Sequence, residues 1–183
     1  MTPQHWKTLS SKEIFTHPRM SLLEDLVQLP NGEEVSYLRK KDTGKAGVTI
    51  IARKQNLILL CQEYSYPPNA VLYQFPGGGV NTDEDVQEAA DRELREETGH
   101  SAQTYTYLGK YYDDNRRSAA FAHVYLAEDL TINPLATGDV EEQITSAWYT
   151  EQEIETMMKD GKILNVHALA SWNLYRLHNK QSC

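Results

Sequence analysis

Cysteine is scarce in this chain: Cys61 sits inside an apolar run and Cys183 is the last residue. One strand position and one chain end make neither a disulfide framework nor a metal-binding spacing, so Cys61 reads as a small core residue. Positive charge is short as well. Lys and Arg number 18 against 26 Asp and Glu, a formal net charge of −8. That balance argues against non-specific binding to nucleic acid or to anionic membrane, because both need a cationic surface. A small phosphate-bearing substrate stays open, since a bound divalent cation inverts the local field. No run approaches the ~20 apolar residues of a membrane helix, and the opening MTPQHWKTLSSKEIF holds no apolar core of a signal peptide. The expectation is a cytoplasmic protein. Internal repeats and low-complexity linkers are lacking too. What is present, 183 residues of which 40% are hydrophobic and 24% charged, suits one ordinary domain, or one plus a small appendage.

The first part of the chain reads as strands. Val27–Leu29 leads into the turn Pro30-Asn31-Gly32, and Val35–Leu38 alternates. Val48–Ala52 and Leu57–Cys61 are continuous apolar runs, the pattern of strands buried on both faces. A loop rich in proline and glycine spans Pro67–Gly79. Thr82 is then expected to begin a helix, with Asp83, Glu84 and Asp85 in its first turn near the positive end of the dipole. That helix should end at Thr98, with Gly99 free to take the left-handed cap conformation. Strands are expected near Thr104–Tyr111, Ala119–Leu126 and Ile144–Tyr149, and helices over Glu151–Lys159 and Val166–Leu177. Strands and helices without strict alternation point to an α+β fold with a mixed sheet between helices.

The strongest chemical signal lies between Gly78 and Gly99. On a helix turning ~100° per residue, Val86, Ala89 and Ala90 share one stripe, which two turns later meets Glu93, Glu96 and Glu97. A face that starts apolar thus becomes triply anionic. Glu93 and Glu97 are a like-charge i,i+4 pair, unfavourable even on an open surface and more so where water is excluded. Arg92 lies around the helix from this stripe and is not expected to neutralise all three. A divalent cation held by hard oxygen ligands resolves the conflict. A solvated acidic face is the plainer explanation, but it leaves the apolar stripe, the glycine-rich approach and the arginine unexplained.

Gly78, five residues, Glu84, seven residues, then Arg92-Glu93-Leu94-Arg95-Glu96-Glu97-Thr98-Gly99 resembles the Nudix box. The one departure is His100, where the family usually has an aliphatic packing residue. The resemblance implies an α-β-α sandwich whose box forms loop, helix and loop. It implies Mg²⁺, or Mn²⁺, on Glu93, Glu97 and Glu96, with the carbonyl of Gly77 as a further ligand. Arg92 would hold a carboxylate in place, Glu84 would support the loop, and Gly78 would permit the tight backbone path. The reaction implied is hydrolysis of a nucleoside diphosphate linked to another moiety.

The stretch from Leu29-Pro30-Asn31-Gly32 through Gln74-Phe75-Pro76-Gly77-Gly78 looks like the branch that acts on ADP-ribose and nucleotide sugars. This implies an N-terminal strand module over residues 1–44, a catalytic domain over 45–183, and a homodimer formed through the module. It brings Tyr37 and Arg39 forward as substrate-binding residues near a partner's site. Ser65 stands where the branch often has arginine, and Gln74 where it often has glutamate. Glu142, or its neighbour Glu141, precedes the strand at Ile144 and is the candidate general base; surface charge is an equal reading. Arg116 and Arg117 follow Asp113-Asp114-Asn115 in a loop without the proline expected of a dedicated ADP-ribose enzyme. They suit phosphate, although a mixed-charge hairpin tip is the commoner case. Asp160 and Lys162 match an Asp-x-Lys pair described in relatives that hydrolyse nucleoside diphosphate sugars, and Gly161 between them is equally a helix terminator. Trp148, Trp172 and Tyr175 read as core rather than as nucleobase platforms.

The leading expectation is therefore a pyrophosphatase of nucleoside diphosphate sugars, ADP-ribose included, that releases a nucleoside monophosphate and a sugar phosphate. The alternatives are another Nudix reaction, on dinucleoside polyphosphates, nucleoside triphosphates or capped RNA, and a nucleotide sensor without turnover. The strand module disfavours the former, as does the acidic balance for RNA. The intact carboxylates Glu93, Glu96 and Glu97 disfavour the latter.

Overall fold

The computed structural model describes residues 2, 4–42, 46–136 and 143–181 of the chain. Contacts divide it into two compact units, one of residues 1–44 with 114–120, the other of residues 45–113 with 121–183. In the first, β1 (Lys7–His17), β2 (Met20–Gln28) and β3 (Glu34–Lys40) form an antiparallel sheet in chain order. Leu29 and Gly32 close the turn between β2 and β3, with Gly32 N–H donating to Leu29 O at 2.9 Å. Asp25 is buried in this sheet and is held by Ser11 Oγ at 2.6 Å and by Arg39 Nε at 2.5 Å. The segment 114–120 joins the unit through its backbone: Lys40 N–H donates to Arg117 O at 2.7 Å.

The second unit carries a seven-stranded mixed sheet. Its main path runs β10 (Ile144–Thr150), β5 (Leu57–Ser65), β4 (Gly47–Lys54), β9 (Phe121–Ile132), β8 (His100–Tyr112). β4 and β9 pair in parallel at the centre and the other pairs are antiparallel. Because helices cover both faces, alternate residues of each central strand enter different cores, which explains the unbroken apolar runs. Ile51, Ile58, Leu60, Val124 and Leu126 pack with α2 (Glu151–Lys159) and α3 (Val166–Gln181). Val48, Ile50, Ala52, Leu59 and Ala127 pack with α1 (Val86–Thr98) on the other side. Trp172 and Tyr175 are buried in the first core and Trp148 packs against the second. Cys61 is fully buried. Among the described residues no helix is long and apolar enough to cross a membrane.

Three strands stand where none was expected. β1 is one; the others, β6 (Ala70–Gln74), paired with β5, and β7 (Gly77–Gly79), paired with β4, lie inside the proline-glycine loop. The beginning of α1 also differs. Asp83 has φ of +63° and cannot be helical. The N-cap is Asp85, which accepts from Gln87 N–H at 2.8 Å while Glu88 reaches back to Asp85 N–H. Glu84 thus lies outside the helix. At the other end Gly99, at φ +72°, closes α1 by donating to Arg95 O, as its position in the sequence foretold.

Candidate active site

β4 and β5 pair only next to their hairpin, through Arg53–Ile58 and Lys54–Leu57. Beyond it they diverge, and the gap on the β4 side is filled by β7 (Gly77–Gly79), antiparallel to Gly47–Thr49. Backbone contact is so close there that a Cβ on Gly77, whose φ is +157°, would lie 2.2 Å from Val48 O. Ile50 N–H donates to Pro76 O at 2.8 Å. The glycines therefore hold the loop as a strand directly in front of α1.

Helix α1 buries Ala89, Ala90 and Leu94, and on the same side Glu93 is only 9% exposed. A Cβ on Gly78 would stand 2.5 Å from Glu93 Oε1; the absence of that methyl is what lets the carboxylate lie against the glycine strand. One turn on, Glu97 Oε2 accepts the Gly77 N–H at 3.1 Å and contacts Cys61 Sγ at 3.9 Å. Burial first, then the Glu97 charge, pushes the Cys61 thiol far up, so it stays protonated.

Arg92 reaches further toward the acids than its place on the helix implied. Its guanidinium binds Glu84 through Nε at 2.7 Å and Nη2 at 3.0 Å, and its Nη1 meets Glu93 Oε1 at 2.8 Å and Glu96 Oε2 at 2.9 Å. Its Nη2 also donates to Gly79 O at 2.8 Å. The expectation that it lies aside from the stripe is corrected: one cation ties two acids of the stripe to the loop. It still leaves an excess of negative charge, since Glu84 shares the same guanidinium. Arg92 holds the Glu84 carboxyl below the usual range, and Glu84 in turn raises the guanidinium pKa. Glu84 also accepts from Asn81 N–H at 2.8 Å, which braces the loop before the helix.

These residues fit a divalent cation. Glu93 and Glu97 bring hard oxygen donors from successive turns to one backbone segment, with Glu96 beside them. Among the described residues no three acidic, His or Cys side chains are gathered as a cage. Magnesium needs none, because one or two carboxylates, waters and substrate phosphates complete its shell.

The other candidate residues fall elsewhere. Tyr37, Arg39, Arg116 and Arg117 gather in the first unit around a cleft of about 280 Å³. Tyr37 Oη donates to Arg116 O at 2.7 Å, and the Arg117 guanidinium lies over the Tyr37 ring at 5.7 Å. Asp160 is the C-cap of α2, and Lys162 N–H closes the turn on Met157 O at 2.8 Å beside Gly161 at φ +70°. Those contacts are what a helix terminator makes. Glu141 and Glu142 lie outside the described residues. His100 packs edge-on against Trp148 at 5.7 Å, its Nδ1 2.9 Å from Thr98 O, so an imidazole fills the aliphatic position.

Sequence reasoning passed over one feature. A cavity of about 270 Å³ opens beside β7, lined by Gly47, Thr49, Gln74, Gly77, Gly78 and His167 among others. A lone histidine early in a helix carries no spacing signal. Only the fold brings it to the glycines.

A model described as the NUDIX domain matches residues 42–169, and one described as the nucleoside diphosphate sugar hydrolase N-terminal domain matches residues 6–37. ADP-ribose pyrophosphatase of Bacillus subtilis (strain 168) is 28% identical over 126 residues, 69% of this chain and 68% of that protein. Methanol dehydrogenase activator of Bacillus methanolicus is 27% identical over 158 residues, 86% of this chain and 85% of that protein. ADP compounds hydrolase NudE of Escherichia coli (strain K12) is 26% identical over 166 residues, 88% and 89% of the two. A crystal structure of an ADP compounds hydrolase superposes with a TM-score of 0.92 at 21% identity, covering 100% of this chain and 98% of that one, and so shares the fold.

Proposed function

This chain belongs to the NUDIX family and is a pyrophosphohydrolase of nucleotide derivatives, and on that premise we propose that its substrates are nucleoside diphosphates linked to a sugar, ADP-ribose among them. The observation that carries the reading is the meeting of Glu93 and Glu97 at Gly77 and Gly78. The match of residues 6–37 to a nucleoside diphosphate sugar hydrolase N-terminal domain and the likeness to an ADP-ribose pyrophosphatase support the sugar.

Glu93 and Glu97, with Glu96 and the Gly77 carbonyl, would hold Mg²⁺ or Mn²⁺. When bound there, such an ion would supply Lewis acidity to phosphoryl oxygens and would lower the pKa of a water. Arg92 keeps Glu93 against the glycine strand and holds Glu96 beside it, and Glu84 anchors Arg92 from the loop side. Glu142 is the proposed base that takes the proton of the attacking water. Cleavage of the bridge gives a nucleoside monophosphate and a sugar phosphate. Tyr37, Arg39, Arg116 and Arg117 are proposed to bind the nucleotide, and Asp160 and Lys162 the sugar side.

The test is a product assay with Mg²⁺ over ADP-ribose, hexose nucleotides, dinucleoside polyphosphates and nucleoside triphosphates. The expected outcome is that the first two classes are cleaved best, that chelation abolishes turnover, and that Glu97→Gln lowers kcat by about a hundredfold or more while the protein stays folded. Full activity in metal-free buffer, or a preference for triphosphates, would refute the reading.

A further inference from the structure

A carboxylate on β5, Glu63, shares the face of the sheet that Glu97 approaches. Glu63 lies two residues from Cys61, so the two side chains leave the strand on one side. That side is turned to α1, because Cys61 Sγ contacts Glu97 Oε2 at 3.9 Å. The thiol feels both acids: after burial, the charges of Glu97 and then of Glu63 push its pKa up. Gln74 pairs with Cys61 across β5 and β6 and so stands diagonally from Glu63 on the same face. Its Nε2 donates to Glu63 Oε2 at 2.6 Å. Glu63 is half-buried, and among the described residues it makes no ion pair; its partner is this neutral amide.

An acid in that place adds to the repulsion among Glu93, Glu96 and Glu97. A glutamine at position 63 would also accept from Gln74, so the tie between β5 and β6 does not by itself call for a carboxylate. The charge has to be useful where it stands. A divalent cation held by Glu93 and Glu97 makes it so, since every negative charge nearby then attracts the ion.

The tie has its own use. Gln74 ends β6, and Gly77 begins β7 three residues on. Between them the chain crosses the opening where β5 and β4 part. Phe75 is buried with its ring stacked on Trp172 at 6.1 Å, and Pro76 O accepts the Ile50 N–H at 2.8 Å. Gly77 N–H is then bound by Glu97. The crossing is thus fastened to β4 and α1 at its far end, and to β5 through Glu63 at its near end.

We propose that Glu63 is a positioning residue of the cation site: through Gln74 it sets the crossing that delivers the Gly77 carbonyl, and its charge adds to the field that draws a divalent cation to Glu93 and Glu97. It acts through Gln74 and through space, as groups behind the ligands of a metal do, and touches neither ion nor substrate. The inference rests on the reading of Glu93 and Glu97 as cation ligands and extends that site from α1 to β5 and β6.

The probe is Mn²⁺, titrated into the whole protein without substrate while the electron paramagnetic resonance of the free ion is followed. Glu63→Leu removes bond and charge together and should weaken Mn²⁺ binding by about tenfold or more. Glu63→Gln keeps the bond, loses the charge, and should fall between that variant and the wild type. Exchange of the pair, Glu63→Gln with Gln74→Glu, restores both and should bring affinity back to within about twofold of the wild type. Tyr64→Phe breaks a different bond of the same hairpin, from Tyr64 Oη to Asn69 Oδ1 at 2.9 Å, and should leave Mn²⁺ binding unchanged. Affinity within about twofold of wild type in Glu63→Leu, equal weakening in Tyr64→Phe, or an exchanged pair as weak as Glu63→Leu overturns the proposal. Should Glu63→Leu not fold, Glu63→Gln decides, and wild-type affinity there overturns it as well. If the wild type binds no Mn²⁺, the reading of Glu93 and Glu97 fails by itself. Exchange of the Gly77 amide then reports the brace: it should quicken in Glu63→Leu and stay slow in the exchanged pair, and an unchanged rate in Glu63→Leu refutes it.

Discussion

At Gly78 the sequence left out one methyl group, and the carboxylate of Glu93 occupies the place. The clash that alanine would create there is with the mobile end of a side chain, Oε1 at 2.5 Å, and not with backbone. Gly78→Ala should therefore fold normally and lose most of its activity, because Glu93 is displaced from the glycine strand. Thermal unfolding beside a turnover assay checks this; a variant with near wild-type kcat would show that the position of Glu93 is immaterial. Much of this scale was legible beforehand. Gly78, Glu84, Arg92, Glu93, Glu97 and Gly99 stand at fixed spacings along one helix and its approach, and spacing is what a sequence displays directly. The reach of Arg92 to Glu93 and Glu96 was not legible, since it depends on side-chain torsions and on Gly79 O turning toward the guanidinium. Nor was the position of His167 beside residues some ninety places earlier in the chain.

Helix α1 shows why element boundaries are harder to read than elements. Thr82, Asp83, Glu84 and Asp85 all favour a helix start, and the choice among them is settled by Asp83 turning to positive φ and by Glu88 completing a reciprocal cap with Asp85. Removal of that cap by Asp85→Ala should lower stability by about 1 kcal/mol and loosen the first turn. Urea denaturation measures it, and an unchanged midpoint would mean that Thr82 caps in its place. β1 was unreadable for another reason: every residue from Lys7 to His17 is exposed, so no alternation of buried and exposed positions marks it. β6 is short, and its pairing with β5 is set by strands on either side of a proline-rich turn. The buried runs of β4, β5 and β9 were plain because both faces of the sheet are covered.

For the molecule as a whole, the order of elements was foreseeable but the membership of the first unit was not. Residues 114–120 lie far along the chain yet belong with residues 1–44. The three-stranded sheet of that unit leaves Trp6, Ile14, Phe15 and Met20 roughly half exposed, and so small a sheet is marginal alone. We expect a homodimer formed through this unit; light scattering at micromolar concentration should give twice the chain mass, and a monomer would contradict it. A further consequence follows from β7, the strip of three glycines set between the diverging halves of β4 and β5. In a free loop its amides would exchange with solvent almost at once. Here Gly77 N–H is held by Glu97 Oε2 and Gly78 lies in the middle of the pairing with Gly47–Thr49, so these two amides exchange only when α1 or the central sheet opens. Amide exchange should thus show Gly77 and Gly78 among the slowly exchanging positions, and the backbone proposed to face the metal would be as rigid as the middle of the fold. The enzyme would then hold its most delicate geometry in the part of the chain that loosens last.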